Sequence, residues 1–420
     1  MSAPLHSAAA VYQMSAEEEH TPLHRILFVE EAPTVGGSTV CLGELARELD
    51  RSRFEPFVLF AYDLAARAAF ASANLPSTTE AAIRGMPEPI PPEDLTNAVP
   101  ALKRTPLYRL LWSLKLYALF ERARAGRLAE WIAQGGFALV HANNSMTANL
   151  AAIVGAARAG VPVVSHQRGF FQTTVFQRYA ARSVDRFICV SHSVADHCLA
   201  QGIPRERIAM VYDGIDVSSL RPQRRPSRDR ILVVWAGRLT SWKGASVLVR
   251  AAERILARHL NAEFVIAGTG PELTPLKERI ERSALLRDRV RLTGFRADVR
   301  DLIADADIFV NSSIEPEALG YSALEAMALG VPVVASACGG LIEVVEHEAS
   351  GLLFEPGSDE ALAGALARLI DDGDLRSRFG IAARRRSEQI FSLDHHVRTI
   401  EAIYDEVIER TRGASVPRDH

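Results

Sequence analysis

An alternation of short apolar runs and helical patterns, which runs, stops and starts again, constrains this chain more than any other feature. From Arg25 onward, Ile26–Val29, Pro56–Phe60, Ala138–His141, Pro162–Ser165 and Arg186–Val190 have strand length, with Ala-rich helical stretches between them. None of these runs alternates apolar with polar residues, so each is expected to be covered on both faces, as in a parallel sheet clothed by helices. The rhythm breaks at Ser218–Asp229 (SSLRPQRRPSRD), which is rich in Pro and Arg, holds no apolar pair and reads as a linker. It resumes with strands at Ile231–Trp235, Glu263–Ala267, Val290–Leu292, Ile308–Asn311 and Pro332–Ser336. Helices are expected near Gly244–His259, Leu273–Leu286, Leu319–Leu329, Asp359–Asp371 and Val397–Arg410. The fold class is therefore α/β: two doubly wound, Rossmann-like domains, residues 23–217 and 230–390, facing each other across a cleft. At 420 residues the chain suits two cores better than one. Ligands of such sheets sit outside the carboxyl ends of the strands.

Composition narrows the function classes. A formal net charge of −3 argues against a nucleic-acid partner. Cys41, Cys189, Cys198 and Cys338 have no metal-ligand spacing, so reduced thiols are expected and no metal site. No run approaches the roughly 18 apolar residues of a membrane span. Residues 1–22 are Ala-rich and then acidic, without the features of a secretory signal, and read as a disordered tail of a cytoplasmic protein. Residues 84–100 carry five prolines and read as a loop. The following segment, 101–134, reads as helical. Between 101 and 127 it sets Lys103, Arg104, Arg109, Lys115, Arg122, Arg124 and Arg127 against one acid, Glu121, with Tyr108, Trp112 and Tyr117 interleaved. Two readings stand: a leucine stripe packed on the first domain, or an amphipathic helix lying on an anionic membrane surface.

The chemistry concentrates at predicted strand ends. Ser312–Ser336 (SSIEPEALGYSALEAMALGVPVVAS) holds Glu317 and Glu325, eight positions apart and expected near one helix face. Between them, Leu319 and Gly320 would offer backbone N–H groups at a helix N-terminus, a place that stabilises a phosphate. After the strand that opens the second half, Gly237, Arg238 and, five residues on, Lys243 can deliver two cations to one diphosphate. Gly268 and Gly270 form a third turn at the same edge. Gly36 and Gly37 follow the first strand and can admit a phosphate or sugar from across the cleft. His141 and His166 each end a predicted strand and are expected to point into the cleft, with Asn143 beside them. Neither a G-x-G-x-x-G after the first strand nor a Walker Lys-Ser/Thr is present, which disfavours dehydrogenase and P-loop readings.

GRLTSWKG, the Glu-x7-Glu block with LEAMALGVPVVAS, VYDGID before the linker and the glycine pair after strand one together resemble glycosyltransferase family 4, retaining enzymes of the GT-B fold. The resemblance spans about Arg25 to Tyr404. It implies that Arg238 and Lys243 bind a donor diphosphate, that Glu317 faces the donor sugar, and that Glu325 bonds the ribose hydroxyls. It implies too that the backbone at Leu319 and Gly320 holds phosphates, that the loop at Phe295-Arg296 lines the base, and that His166 contacts the sugar near the reaction centre. The donor would be a nucleotide sugar, UDP- or GDP-linked, with no cofactor or metal. The acceptor would be a glycan or lipid-linked glycan, and retention would follow front-face attack. A last helix within 391–412 would cross back onto the first domain. Leu319 stands where the family usually has Phe, and Asp213 where Asn is common. The competing expectations are other chemistry at a nucleotide sugar, or a catalytically silent GT-B scaffold; the presence of Arg238, Lys243 and Glu317 disfavours the scaffold.

Overall fold

The computed structural model describes residues 23–31, 36–62, 70, 75–83, 86, 121–173, 175–221 and 230–415. The expected tail 1–22, segment 101–120 and linker residues 222–229 lie outside the described residues.

Seven parallel strands form the first sheet: β1 (His24–Glu30), β2 (Phe54–Phe60), β3 (Ser77–Thr79), β4 (Leu139–Ala142), β5 (Val163–Gln167), β6 (Arg186–Cys189) and β7 (Ile208–Met210), in the order β3-β2-β1-β4-β5-β6-β7. Six more form the second: β8 (Ile231–Ala236), β9 (Ala262–Ala267), β10 (Val290–Gly294), β11 (Ile308–Asn311), β12 (Val333–Ser336) and β13 (Gly351–Phe354), in the order β10-β9-β8-β11-β12-β13. Both sheets reverse their winding beside their first strand, at β1/β4 and at β8/β11, and the crevices above those points are where such sheets take ligands. Apolar runs such as Ile26–Val29 and Val233–Trp235 are buried on both faces, which is why they show no period of two.

Strands β3, β7 and β13 and the helix Gly373–Ile390 escape the sequence pattern. The first is a three-residue edge strand of Ser and Thr. The helix is rich in Arg and buries few apolar residues, so its period is faint. Its start is fixed by the Asp372 side chain, which accepts from Leu375 N at 2.8 Å.

The last helix runs from Leu393 to Ser415 and begins earlier than expected, because Ser392 Oγ accepts from His395 N at 3.2 Å and caps it. It packs on the first sheet: Tyr404, Ile400 and Val407 join the core that holds Phe28, Phe54 and Leu139. Glu401 accepts from Asp50 N at 2.7 Å, and Arg186 pairs with Glu406 at 2.7 Å. The two chain crossings between domains run side by side, with Ile215 N donating to Phe391 O and Leu393 N to Ile215 O. Among the described residues, no helix is long and apolar enough to cross a membrane.

Candidate active site

The second domain contributes a charged pair and a free cation. Beyond β8 the chain passes through Gly237, Arg238 and Leu239, makes a tight turn at Ser241–Lys243 and enters the helix Ala245–Leu256. Lys243 Nζ donates to Glu317 Oε1 at 2.6 Å and lies 4.3 Å from the centre of the Trp242 ring. Ser313 Oγ donates to the same carboxylate oxygen, also at 2.6 Å. Glu317 is buried, whereas Arg238 is exposed and pairs with no described residue. Arg238 is held out by its backbone: Gly237 N bonds Ala267 O, and Leu239 N bonds Thr269 O. Gly268 and Gly270 permit that approach, since a Cβ on either would overlap the carbonyls of Gly237 and Leu239.

Glu317 and Glu325 do not share a helix face. Gly320, at φ 93°, turns the chain into a helix that starts only at Tyr321, so Glu317 lies in the extended segment before it, bridged to Gly339. The spacing of eight predicts a shared face only inside a continuous helix. Glu325, one turn inside, accepts from Arg300 Nε at 2.8 Å. Leu319 buries its side chain beneath this turn. Arg296 turns back on Asp298 as an exposed fork, next to the exposed ring of Phe295.

The first domain meets this turn with a second helix start. Gly36 caps the helix Gly37–Glu48, and a Cβ on Gly37 would stand 3.7 Å from that of Tyr321. Two helix N-termini, one from each domain, therefore converge, each carrying a partial positive charge and unpaired N–H groups. Ser191 Oγ from the first domain donates to Ala318 O at 2.6 Å and holds the same turn.

His141 and His166 do not open into the cleft, contrary to the expectation from their places at strand ends. Both are fully buried. Side chains alternate across a strand, and His141 and His166 fall on the same face as Leu139 and Val164, the face that the C-terminal helix covers. Tyr404 OH from that helix bonds His141 Nδ1 at 2.6 Å; His141 Nε2 lies 3.3 Å from His166 Nδ1; Arg168 Nη2 stands 3.3 Å from the same nitrogen. Because Arg168 can only donate, the network assigns His166 the tautomer with its proton on Nε2. That Nε2 finds no hydrogen-bond partner; Asp213 Oδ1 is 3.9 Å away. Burial, then the charge of Arg168, drives the pKa values of both His141 and His166 well below the ordinary histidine value. His396, stacked on His166 at 6.0 Å, is pushed down to about 4 by burial. Asn143 is likewise buried, donating to Glu30 Oε2 at 2.7 Å and accepting from Arg168 Nε at 2.9 Å.

The structure thus brings Lys243 and Glu317 together and leaves Arg238 exposed on the same loop as Lys243. It sets Gly36, Gly37, Gly320 and Glu325 at the domain contact, and places His141, His166 and Asn143 in a buried network behind the cleft. Sequence reasoning missed Ser313, Arg168, Glu30, Arg300 and Glu44. Only Arg168 had a local signal, two residues beyond His166. The basic segment also needs correction: Arg124 is not part of a solvated or lipid-facing stripe. It is buried against Glu80 at 2.8 Å, Glu121 at 2.9 Å and Glu31 at 3.2 Å. Among the described residues, no group of three or more His, Cys, Asp or Glu is arranged to hold a metal.

Two doubly wound domains with convergent helix starts and an Arg/Lys/Glu set at one strand edge define the class: a GT-B protein. The family description "Glycosyltransferase Family 4" matches residues 35–219 and "Glycosyl transferases group 1" matches residues 216–386, end to end. The chain belongs to glycosyltransferase family 4. It is 31% identical over 237 residues to an uncharacterized glycosyltransferase of Methanocaldococcus jannaschii, which covers 53% of this chain and 60% of that one. It is 29% identical over 250 residues to one component of the phosphatidylinositol N-acetylglucosaminyltransferase of Arabidopsis thaliana, covering 57% and 54%. The chain thus spans between half and two thirds of the length of these curated relatives. Among solved structures, Anabaena HepE in complex with UDP and glucose superposes with a TM-score of 0.71 at 23% identity, covering 90% of this chain and 99% of that one, a likeness of fold.

Proposed function

We propose that this protein is a retaining glycosyltransferase that moves a sugar from a nucleoside-diphosphate donor to a hydroxyl of a glycan or lipid-linked acceptor, without a divalent metal. The observation that carries the reading is the Lys243–Glu317 pair, with the exposed, unpaired Arg238 on the same loop after β8 as Lys243, near two converging helix starts. Breaking the bond between sugar and diphosphate leaves charge on the departing phosphate oxygens. Arg238, Lys243 and the two helix N-termini supply fixed positive charge for them. Glu317, sharing Lys243 with that diphosphate, would face the sugar hydroxyls. His166 is fully buried, so its unpaired Nε2–H reaches a sugar only if the chain in front of it shifts; otherwise it shapes the cleft wall from behind. UDP bound to HepE and the phosphatidylinositol acceptor in the name of the Arabidopsis relative support the donor and acceptor classes proposed. The cations of segment 101–122 would bring the protein to an anionic membrane surface, and co-sedimentation with anionic vesicles at low salt tests that part.

The test of transfer is release of nucleoside diphosphate from a panel of UDP-, GDP- and ADP-sugars in the presence of EDTA, with wild type, Glu317→Ala and Arg238→Ala. One donor should be hydrolysed slowly by wild type, and both substitutions should abolish turnover. A panel with no donor bound above background, or turnover restored only by added metal, would sink the corresponding half of the proposal.

A further inference from the structure

Four side chains meet where the two domains touch beside the cleft. Glu44, on the helix Gly37–Glu48, accepts from Tyr321 OH at 2.7 Å and pairs with Arg300 Nη2 at 3.2 Å. Arg300, on the helix Val299–Ala304, donates through Nε to Glu325 Oε1 at 2.8 Å. One guanidinium therefore bridges two carboxylates, one from each domain, whose side chains are only 11% and 12% exposed. Without Arg300, two poorly hydrated negative charges would face each other across the contact, a strongly unfavourable arrangement. Arg300 donates to Glu325 through Nε and to Glu44 through Nη2 of one rigid planar group, so Glu44 fixes the rotation of the guanidinium and thereby the orientation of Glu325. Arg300 occupies only Oε1 of Glu325, which leaves its second oxygen as an acceptor.

Resting on the reading of this cleft as a nucleoside-diphosphate-sugar site, in which the family resemblance gives Glu325 the ribose hydroxyls, we propose that Arg300 and Glu44 are positioning residues: they fix Glu325 for that contact and make its grip depend on contact between the domains. A carboxylate with a free side chain must lose rotamer freedom on binding; one already clamped by a charged fork has lost it beforehand. Burial pushes the Glu325 carboxyl above its ordinary range, and Arg300 opposes that, favouring the ionised form that a pair of ribose hydroxyls needs as acceptor. The coupling to domain contact follows from the same atoms. Tyr321, which bonds Glu44, is the first residue of the helix that carries Glu325, and it stands against Gly37 of the opposite domain. Moving the domains apart removes Glu44 from both Tyr321 and Arg300 at once.

The discriminating measurement is calorimetric titration of the full chain with UDP, GDP and ADP and with the 2′-deoxy counterpart of whichever binds best. Wild type should favour the ribonucleotide by about tenfold, the worth of one hydrogen bond to a charged group. Arg300→Gln should erase most of that preference and Glu44→Gln part of it, while affinity for the deoxynucleotide stays within about threefold of wild type. A role limited to holding the domains together would weaken both nucleotides equally and leave their ratio unchanged, and that result overturns the inference. Binding without ribose preference in wild type overturns it too, while leaving the donor-site reading intact. If wild type binds none of the three diphosphates, the donor-site reading falls and this inference falls with it.

Discussion

Lowering the pH from 7.5 to 5.5 should destabilise the first domain through its three buried histidines, by an amount the structure sets. His141, His166 and His396 are fully enclosed, and Arg168 beside them opposes any added positive charge. In the unfolded chain each would titrate near 6.5. A group whose folded pKa is depressed contributes stability that is complete above the unfolded value and lost as the pH falls below it. Between pH 7.5 and 5.5 the unfolded state gains almost a full proton per histidine. His396, pushed down to about 4, gains almost none in the fold, which costs roughly 1 kcal/mol of stability, and His141 and His166, displaced in the same direction by burial, add to that loss. Burial pushes Glu31 up to about 8, so it works in the opposite direction over this range, and the effect must be read as a difference between variants. His396→Gln keeps a side chain able to reach Tyr212 O, which His396 Nδ1 contacts at 2.7 Å, but cannot take up a proton. Hydrogen exchange of the segments Leu139–Ala142 and Val163–Gln167, corrected for intrinsic pH dependence, reports the local opening energy at each pH. The loss in His396→Gln should be roughly 1 kcal/mol smaller than in wild type. Equal losses in the two proteins would mean that His396 titrates normally, and the burial reasoning would fail for it.

Three more outcomes are expected. Arg124→Met strands Glu31 and Glu80 in the interior and should cost about 3–5 kcal/mol in urea unfolding at pH 8.5. A carboxyl raised in the folded chain contributes stability that is complete below its unfolded value and lost as the pH rises through its folded value. The Arg124→Met penalty should therefore shrink toward pH 5 and not grow. Gly268→Ala, whose Cβ would collide with the Gly237 carbonyl, should lower Tm by several degrees and weaken donor binding by displacing Arg238; unchanged donor affinity would detach that turn from the site. Lys243→Ala leaves Glu317 buried without its cation and should reduce turnover more than Ser313→Ala does, measured as kcat at saturating donor.

The doubly wound halves were legible because β1, β8 and their neighbours are unbroken apolar runs separated by helical periods. The edge strands β3 and β7 were not, since each is only three residues long, too short to show a pattern. Lys243 and Glu317 were each legible as charged residues near the cleft edge, but their pairing across 74 positions was not, because only the fold brings them together. The burial of His141 and His166 could not, because a place along a strand says nothing of which face a later helix will cover. Here Tyr404 and His396, more than 200 residues downstream, enclose them. Arg300 and Glu44 escaped for the same reason: each looks like an ordinary helix-surface charge until the two domains are set against each other.

The role of Arg238 and Lys243 is tested most directly by calorimetry in EDTA, comparing a nucleoside diphosphate with the matching monophosphate. Wild type should bind the diphosphate at least about tenfold more tightly, as one charged hydrogen bond to the second phosphate requires, and Arg238→Ala should close that gap. Equal affinity for the two nucleotides in wild type, or a gap that survives in both Arg238→Ala and Lys243→Ala, would contradict a diphosphate site at the end of β8.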